Sequence, residues 1–584
     1  MQPYPIGRHG RIGEPRKEAL REGLAGTRGR VFLCLFVVLI SGLMVIALKT
    51  PLSHVHFDSP YYLYQSKLLV ETPFYSSYLK HADEVAREVI DKSWDKNLSY
   101  IPQRYWYFSR IGHLTTLAAF VALGGTGRNA LLWAHWGFGI LLAISLCILV
   151  AFTLRLMRLF AFADGSEASA AGAAISGLLF AASGEYWHLA GNFVTEVPAL
   201  LYLSVCLLAL VTSLTQRPWL FGGVAGLAAL LVYLSRPDFL WIILVFCALI
   251  FVASWMGKLP PIQKTGLFAA GVSALLAWGL FAWFFWPLAD PRLYLRFVAL
   301  LHLWNEKPTF FLQLFITSGG LLWVGFILSI WKIRLHPLIQ FGLLWLILSV
   351  TPWIIQAFSG LTAQSRMFSL TLPSLLLLSS AGWALLLQTA ANARSHRVRL
   401  LAAPVIVTLF LLALTHPPTF SLLKGLPGGW RLQYARSFLW PDPWENRTYY
   451  FDDLARISDA LYQDGDLKIV LLDVSAKTDP EFVNVIRFLG PAYKADIDPL
   501  LQLEPQKVWR LGNYPDPTGE RVAIRSYSDF AQQDLIALRQ GTNRLFVLGR
   551  DQAPERLKVG DRTLLAKPIV RGEKYWLSEA LGAW

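Results

Sequence analysis

Apolar runs of about twenty residues, separated by short basic connections, fill most of the first 430 positions and leave little choice of fold. A helix needs about 20 mostly apolar residues to cross the hydrocarbon core of a bilayer. Backbone groups surrounded by lipid must satisfy their own hydrogen bonds, so such runs fold as spanning helices. The first covers residues 31–48, and ten more follow at about 130–153, 170–184, 196–214, 219–235, 238–256, 265–287, 311–331, 337–357, 368–390 and 399–415. The expected fold class is a polytopic α-helical membrane protein with about eleven transmembrane helices.

Charge marks where that body ends. Only 16% of the 584 residues are charged, against about 25% in ordinary soluble domains, and they are unevenly placed. The last 154 residues hold 43 of them and the first 430 only 49. This divides the chain into an N-terminal tail (1–30), a transmembrane domain (31–430) and a C-terminal soluble domain (431–584). The net charge of +14 belongs to the membrane part, with 32 basic and 17 acidic residues in the first 430 positions and 21 and 22 in the rest. The basic excess is thus explained by loops that fix topology, and nucleic acid is not an expected partner. Cys34, Cys147, Cys206 and Cys247 all lie in apolar stretches, so neither a disulfide framework nor a zinc motif is present.

Seven of the first thirty residues are Arg or Lys. The apolar run after them is too long for a signal peptide and lacks a small-residue cleavage site after Lys49, which predicts an uncleaved first helix with a cytoplasmic N-terminus. Alternation from there puts Arg155 and Arg158, Arg217, Lys258 and Lys264, Lys332 and Arg334, and Arg394, Arg397 and Arg399 inside, so every inner loop is basic. An odd span count leaves the C-terminal domain outside the cytoplasm. The expected location is a bacterial plasma (inner) membrane.

The first outer loop, residues 50–129, is long. It carries an amphipathic stretch from Tyr61 to Leu69, a charged stretch from His81 to Lys96, and the aromatic cluster Tyr105, Trp106, Tyr107 and Phe108, a composition that suits the membrane interface. The apolar run from Leu114 to Leu123 is too short to span. A second outer segment, residues 288–310, is similarly mixed. In the C-terminal domain, Lys468 to Val474 and Arg544 to Gly549 read as buried strands, and Asp479 to Phe488 and Ser528 to Arg539 as helices, the pattern of a small α/β module.

Charged residues at membrane depth are costly and tend to mark a functional site. Asp58, in His54-Val-His-Phe-Asp-Ser-Pro-Tyr-Tyr62, is a carboxylate among aromatics that can act as a general base toward an acceptor hydroxyl. Followed by Ser59 and Pro60, it also suits a helix N-cap. Glu196, in Thr-Glu-Val-Pro-Ala at the outer mouth of the fourth span, is a second candidate acid, or a carboxylate complementing the helix N-terminus. Arg236, in Ser-Arg-Pro-Asp, and Arg366, in Gln-Ser-Arg-Met-Phe, are cations at outer helix ends, where the topology rule disfavours them. Both suit a lipid phosphate. The alternatives are a salt bridge from Arg236 to Asp238 and snorkelling of Arg366 to the interface. His54 and His56 at i, i+2 are weak candidates for a metal together with Asp58.

An acid in the first outer loop before Tyr-Tyr-Leu, Thr195-Glu196-Val-Pro-Ala at the start of the fourth helix, Arg236-Pro after the fifth, and Arg366 before a Leu-Pro-containing helix together resemble the GT-C glycosyltransferases. The nearest likeness is to bacterial relatives of protein O-mannosyltransferases and aminoarabinose (lipid A) transferases. The resemblance covers the membrane part, about three quarters of the chain. It implies a polyprenyl-phosphate sugar donor bound from the outer leaflet and a lipid, glycan or protein acceptor. It implies further that Asp58 activates the acceptor, that Glu196 is the second catalytic acid, and that Arg236 and Arg366 hold the donor phosphate. Many protein O-mannosyltransferases have Asp-Glu in the first loop, where this chain has Asp58-Ser59.

The reaction so implied is inverting transfer to a hydroxyl. No nucleotide-binding loop is present or required, and a divalent metal is the one cofactor left open. The competing expectation is a transporter or flippase for a lipid or anionic solute, against which stands the lack of an inverted repeat or of paired Gly/Pro-broken helices. A receptor or scaffold would leave the outer charges unexplained.

Overall fold

The computed structural model describes residues 14–49, 54–56, 59–71, 110–125, 127–162, 167–191, 193–259, 263–285, 319, 321–331, 336–358, 365–392, 448–462, 468–472, 482–489, 522–526, 544–559 and 562–581. Its helices are α1 (Glu14–Lys49), α2 (Ser59–Glu71), α3 (Ile111–Gly124), α4 (Gly127–Leu159), α5 (Glu167–Ala181), α6 (Gly184–Gly191), α7 (Glu196–Ser213), α8 (Pro218–Ser235), α9 (Leu240–Trp255), α10 (Thr265–Phe285), α11 (Leu322–Ile330), α12 (Pro337–Phe358) and α13 (Leu372–Asn392). Short 3-10 segments, Pro237–Phe239 and Ser365–Leu370, precede α9 and α13. Among the described residues six helices are long and apolar enough to cross a membrane, and the chain is a multi-pass membrane protein. The expected span at 399–415 lies outside the described residues.

Two helices depart from the expected bounds. α1 begins at Glu14, well inside the polar tail, because Glu, Arg, Lys, Ala and Leu in that stretch are strong helix formers. α4 has 33 residues, about 50 Å at 1.5 Å per residue, against a hydrocarbon core of about 30 Å. It therefore projects beyond the bilayer. α3 folds back along its first turns, with Phe120 edge-on to Phe138 at 6.2 Å, and Thr116 bonds to Tyr202 of α7 at 2.8 Å.

Lipid offers little hydrophobic drive for helices to associate, so close packing decides. A side chain at Gly226 of α8 would collide with the backbone of α10 at Ala270, and one at Gly112 of α3 would come within 2.7 Å of the Ser235 hydroxyl. Gly112 thus lets the start of α3 sit on the last turn of α8, beside Arg236. Deeper in the body, Phe152, Phe246 and Phe341 pack around the fully buried Trp345 indole, Phe152 edge to face and the other two tilted.

The ends of the body differ in chemistry. Arg155 and Arg158 near the end of α4, Arg217 before α8, and Lys258 and Lys264 between α9 and α10 lie at one end, where the Gln263 amide donates to the Leu214 carbonyl at 2.9 Å and ties two of these connections together. Trp219 and Trp255 are exposed there, as interface tryptophans are. The opposite end carries the loop after α1, and the C-terminal part docks there. Strand β1 (His54–His56) pairs antiparallel with β2 (Thr448–Tyr450), Val55 opposite Tyr449.

After β2 come α14 (Phe451–Tyr462), β3 (Lys468–Leu472), α15 (Phe482–Leu489), β4 (Val522–Ser526), β5 (Arg544–Arg550), β6 (Arg556–Val559), β7 (Arg562–Arg571) and β8 (Tyr575–Leu581). They form a six-stranded sheet in the order β4-β3-β5-β8-β7-β6. β4, β3 and β5 are parallel, and β5, β8, β7 and β6 antiparallel. The expected strands at 468 and 544 are thus direct neighbours, and the expected helix at 479–488 is α15. The helix expected at 528–539 lies outside the described residues. Asp453 ties α14 to the sheet by accepting the amides of Lys574 and Tyr575 at 2.8 and 3.2 Å. α15 packs against α2, so the C-terminal sheet and the loop after α1 share one face.

Candidate functional site

The polar groups at that face are wired in series. Arg110, at the N-terminus of α3, is buried and donates from Nη1 to the Thr195 hydroxyl. Thr195 precedes α7 and makes no side-chain cap bond to it. Its hydroxyl instead donates to Glu196 Oε2 at 3.2 Å. Glu196 Oε1 accepts from Arg236 Nη1, and Arg236 holds Asp238 with a fork, Nε to Oδ1 at 2.9 Å and Nη2 to Oδ2 at 2.7 Å. Glu196 is fully buried and the Arg236 side chain is 5% exposed. Two guanidinium groups and two carboxylates thus form one neutral chain linking α3, α7 and the α8–α9 turn.

Local sequence explains the geometry. Pro237 cannot extend α8, so the chain turns at Arg236, whose backbone is extended. The two-residue spacing then brings Asp238 under its guanidinium, with the Phe239 ring 5.6 Å away. Glu196 opens α7 as its first residue, where the helix dipole favours a carboxylate. The salt bridge to Asp238 that the sequence offered for Arg236 is present. The ion pair with Glu196 is an addition that joins two predicted site residues. Removing one member of such a buried pair leaves an uncompensated charge, at a cost of about 3–5 kcal/mol.

The other expected residues are placed only in part. Asp58 lies outside the described residues, but Ser59, next in the chain, is buried and its hydroxyl accepts the Phe193 amide at 3.1 Å, three positions before Glu196. Arg366 belongs to the 3-10 segment Ser365–Leu370, which packs against α6 and α7; its side chain is outside the described residues. The same holds for the side chains of His54 and His56, whose backbones form β1. Among the described residues there is no group of three His, Cys, Asp or Glu that could hold a metal ion.

Three buried polar residues escape a reading of the sequence, and two of them, Arg110 and His113, lie at the site. Arg110 and His113 flank the start of α3, and Glu185 is a buried carboxylate in the first turn of α6. The His113 ring is fully buried, 4.5 Å from the Tyr62 ring of α2 and 5.6 Å from Phe138 of α4, edge to face with both. Burial and the neighbouring Arg110 guanidinium push its pKa down to about 3, so the imidazole is neutral. The one available signal was Arg110-Ile-Gly-His113, a cation and an imidazole one turn apart ahead of an apolar run too short to span.

No family model and no curated protein sequence matches the chain. Among solved structures it is similar to ArnT from Cupriavidus metallidurans bound to undecaprenyl phosphate, at 14% identity and a TM-score of 0.47, covering 95% of this chain and 98% of that one. The apo state of the same ArnT gives 14% and 0.47 over 96% and 100%. The oligosaccharyltransferase of Archaeoglobus fulgidus in the apo form gives 11% and 0.41 over 88% and 69%.

Proposed function

We propose that this protein is a membrane glycosyltransferase of GT-C type that moves a sugar from a polyprenyl phosphate to an acceptor hydroxyl on the extracytoplasmic side. The observation that carries this reading is the buried chain from Arg110 to Asp238, with Ser59, the residue after Asp58 in the sequence, bonded to the Phe193 amide at the same face. Desolvated charges at a membrane face are expensive and are retained where a charged substrate must be held. The basic end opposite suits the cytoplasmic side by the positive-inside rule, which supports an extracytoplasmic site and C-terminal sheet, and the location we propose is a bacterial plasma membrane.

In the reaction so assigned, the acceptor hydroxyl gives its proton to the Asp58 carboxylate while its oxygen bonds to the anomeric carbon. The bond from that carbon to the phosphate oxygen breaks, and polyprenyl phosphate leaves with the electron pair. The anomeric centre inverts. Arg236 and Arg366 hold the phosphate and balance the charge that grows on it. Glu196 accepts from Thr195 and Arg236, so it orients Arg236 and stands as the second acid should Asp58 not take the acceptor proton. His54 and His56 remain candidates for a divalent cation, and no step is routed through one.

The test is binding of undecaprenyl phosphate to the purified full chain in nanodiscs. Loss of one charged hydrogen bond in Arg236→Ala should weaken binding about ten- to a hundredfold. Because that variant strands Glu196, the double variant Arg236→Met with Glu196→Gln keeps the buried charge balanced and should show the same loss. A parent that does not bind undecaprenyl phosphate, or a double variant that binds like the parent, would sink the reading.

A further inference from the structure

Two acids open α14, and they face different ways. Asp452 is exposed, as suits an acid at a helix N-terminus. Asp453 is buried, and its carboxylate takes three hydrogen bonds. Oδ2 accepts the amides of Lys574 and Tyr575 where β7 turns into β8, at 2.8 and 3.2 Å, and Oδ1 accepts from Arg456 Nη2 at 2.7 Å. A side chain at Gly572 would collide with this carboxylate, so the glycine is what admits it to the turn. Asp453 therefore fixes the first turn of α14 to the C-terminal sheet.

That first turn carries β2. Phe451 of α14 follows Tyr450 of β2 directly, so the strand goes where the helix start goes. β2 has one partner, β1, over three residue pairs. A two-stranded ladder is marginal on its own in water, and its place must come from the element that carries it. β1 ends at His56, two positions before Asp58, and α2 begins at Ser59, one position after it. α2 packs on α15, and α15 is joined to α14 by the buried bond from the Ser458 hydroxyl to the Ile486 carbonyl, at 3.1 Å. Both sequence neighbours of Asp58 are thus held by the C-terminal part, through α14. The ion pairs of Arg236, by contrast, are made between α7 and the α8–α9 turn.

We propose that Asp453 is a positioning residue for sugar transfer: by fixing β2 to the C-terminal sheet it sets the place of β1, and so of the acceptor base that follows β1 in the chain. The inference rests on the reading of Asp58 as that base given above. A slip of one residue between β1 and β2 would move β1 by about 3.3 Å and turn its side chains to the opposite face. A displacement of about 1 Å can already cost roughly a hundredfold in rate. The phosphate site is built from the membrane helices, so loss of Asp453 separates turnover from donor binding.

The experiment uses the full chain in nanodiscs. Turnover is read as release of undecaprenyl phosphate from glucose-, mannose- and aminoarabinose-linked donors, Kd is measured for undecaprenyl phosphate, and hydrogen exchange is followed in β1 and β2. The parent is compared with Asp453→Ala, Asp453→Asn, Gly572→Ala and Asp58→Asn. Asp453→Ala should lower kcat about ten- to a hundredfold, keep Kd within about twofold and speed exchange in both strands. Gly572→Ala, which crowds the carboxylate from the turn, should do the same. Asp453→Asn keeps an oxygen for the two amides and should restore kcat to within about threefold. Parental kcat in Asp453→Ala overturns the proposal. So does a loss of kcat matched by an equal weakening of Kd, or one that Asn does not restore, because Asp453 then does not act by anchoring β2. If Asp58→Asn loses turnover while Asp453→Ala keeps it, only this inference fails. If Asp58→Asn turns over like the parent, or the parent releases nothing, the reading of Asp58 as base fails and the role of Asp453 with it.

Discussion

The two ends of the membrane body use arginine in opposite ways. At the basic end, Arg155 reaches Thr215 at 3.0 Å in an exposed contact, and Arg158, Arg217, Lys258 and Lys264 cluster with exposed tryptophans. At the other end, Arg110 and Arg236 are buried, and Arg236 is paired with two carboxylates. The first arrangement costs little, since the charges remain hydrated and only have to resist translocation. The second pays desolvation on four groups, which is tolerable only with near-complete pairing. The side of the membrane alone therefore does not identify a functional cation; burial with a matched partner does.

The sharpest way to break this contrast is at Asp58. Asp58→Asn preserves shape and a helix cap but removes basicity, so turnover of an undecaprenyl-phosphate sugar should fall about 100- to 10,000-fold with expression unchanged. Release of undecaprenyl phosphate from glucose-, mannose- and aminoarabinose-linked donors is the measurement. Near-parental turnover would return Asp58 to a cap and make Glu196 the next acid to test.

The next effect is on stability. Glu196→Ala leaves Arg236 with Asp238 alone in a buried setting and should cost about 3–5 kcal/mol, read as a lowered melting midpoint in nanodiscs. Arg155→Ala, at the exposed end, should stay within about 0.5 kcal/mol of the parent. Equal losses at the two sites would dissolve the distinction between topological and site arginines.

These predictions rest unevenly on what the sequence discloses. Apolar runs mark spanning helices because lipid enforces one solution, and α4, α7, α8, α9, α10 and α13 lie where hydropathy puts them. Strands β3 and β5 are legible because both are buried apolar runs. The β6–β8 meander is not: β7 carries Lys567 and Pro568 with a register shift at Pro568/Val570, and β8 is buried on both faces although it includes Ser578 and Glu579, so it shows neither an apolar run nor an alternation. In the site, Glu196 and Arg236 stand out singly, since each is a charge at a helix end. Their pairing spans 40 positions and that of Arg110 with Thr195 spans 85, distances over which only tertiary structure decides. His113 is hidden for the same reason: its burial comes from α2 and α4, and its own helix offers only the nearby Arg110 as a signal.

The smallest expected effect concerns how the C-terminal part is held to the body. Arg128 of α4 and Asp452 of α14 form an ion pair of 3.0 Å across the junction, with side chains 74% and 58% exposed. The pair looks like a latch, yet exposed pairs contribute only about 0.2–1 kcal/mol and are screened by salt. The β1–β2 ladder and the packing of α15 on α2 bury backbone and apolar surface at the same junction, and their contribution does not depend on ionic strength. A double-mutant cycle with Arg128→Gln and Asp452→Asn should therefore give a coupling below about 1 kcal/mol that fades toward 1 M salt. A salt-resistant coupling of several kcal/mol would mean that the junction, like the Arg236 site, excludes water, and the contrast between exposed and buried arginines would then have to include Arg128 on the buried side.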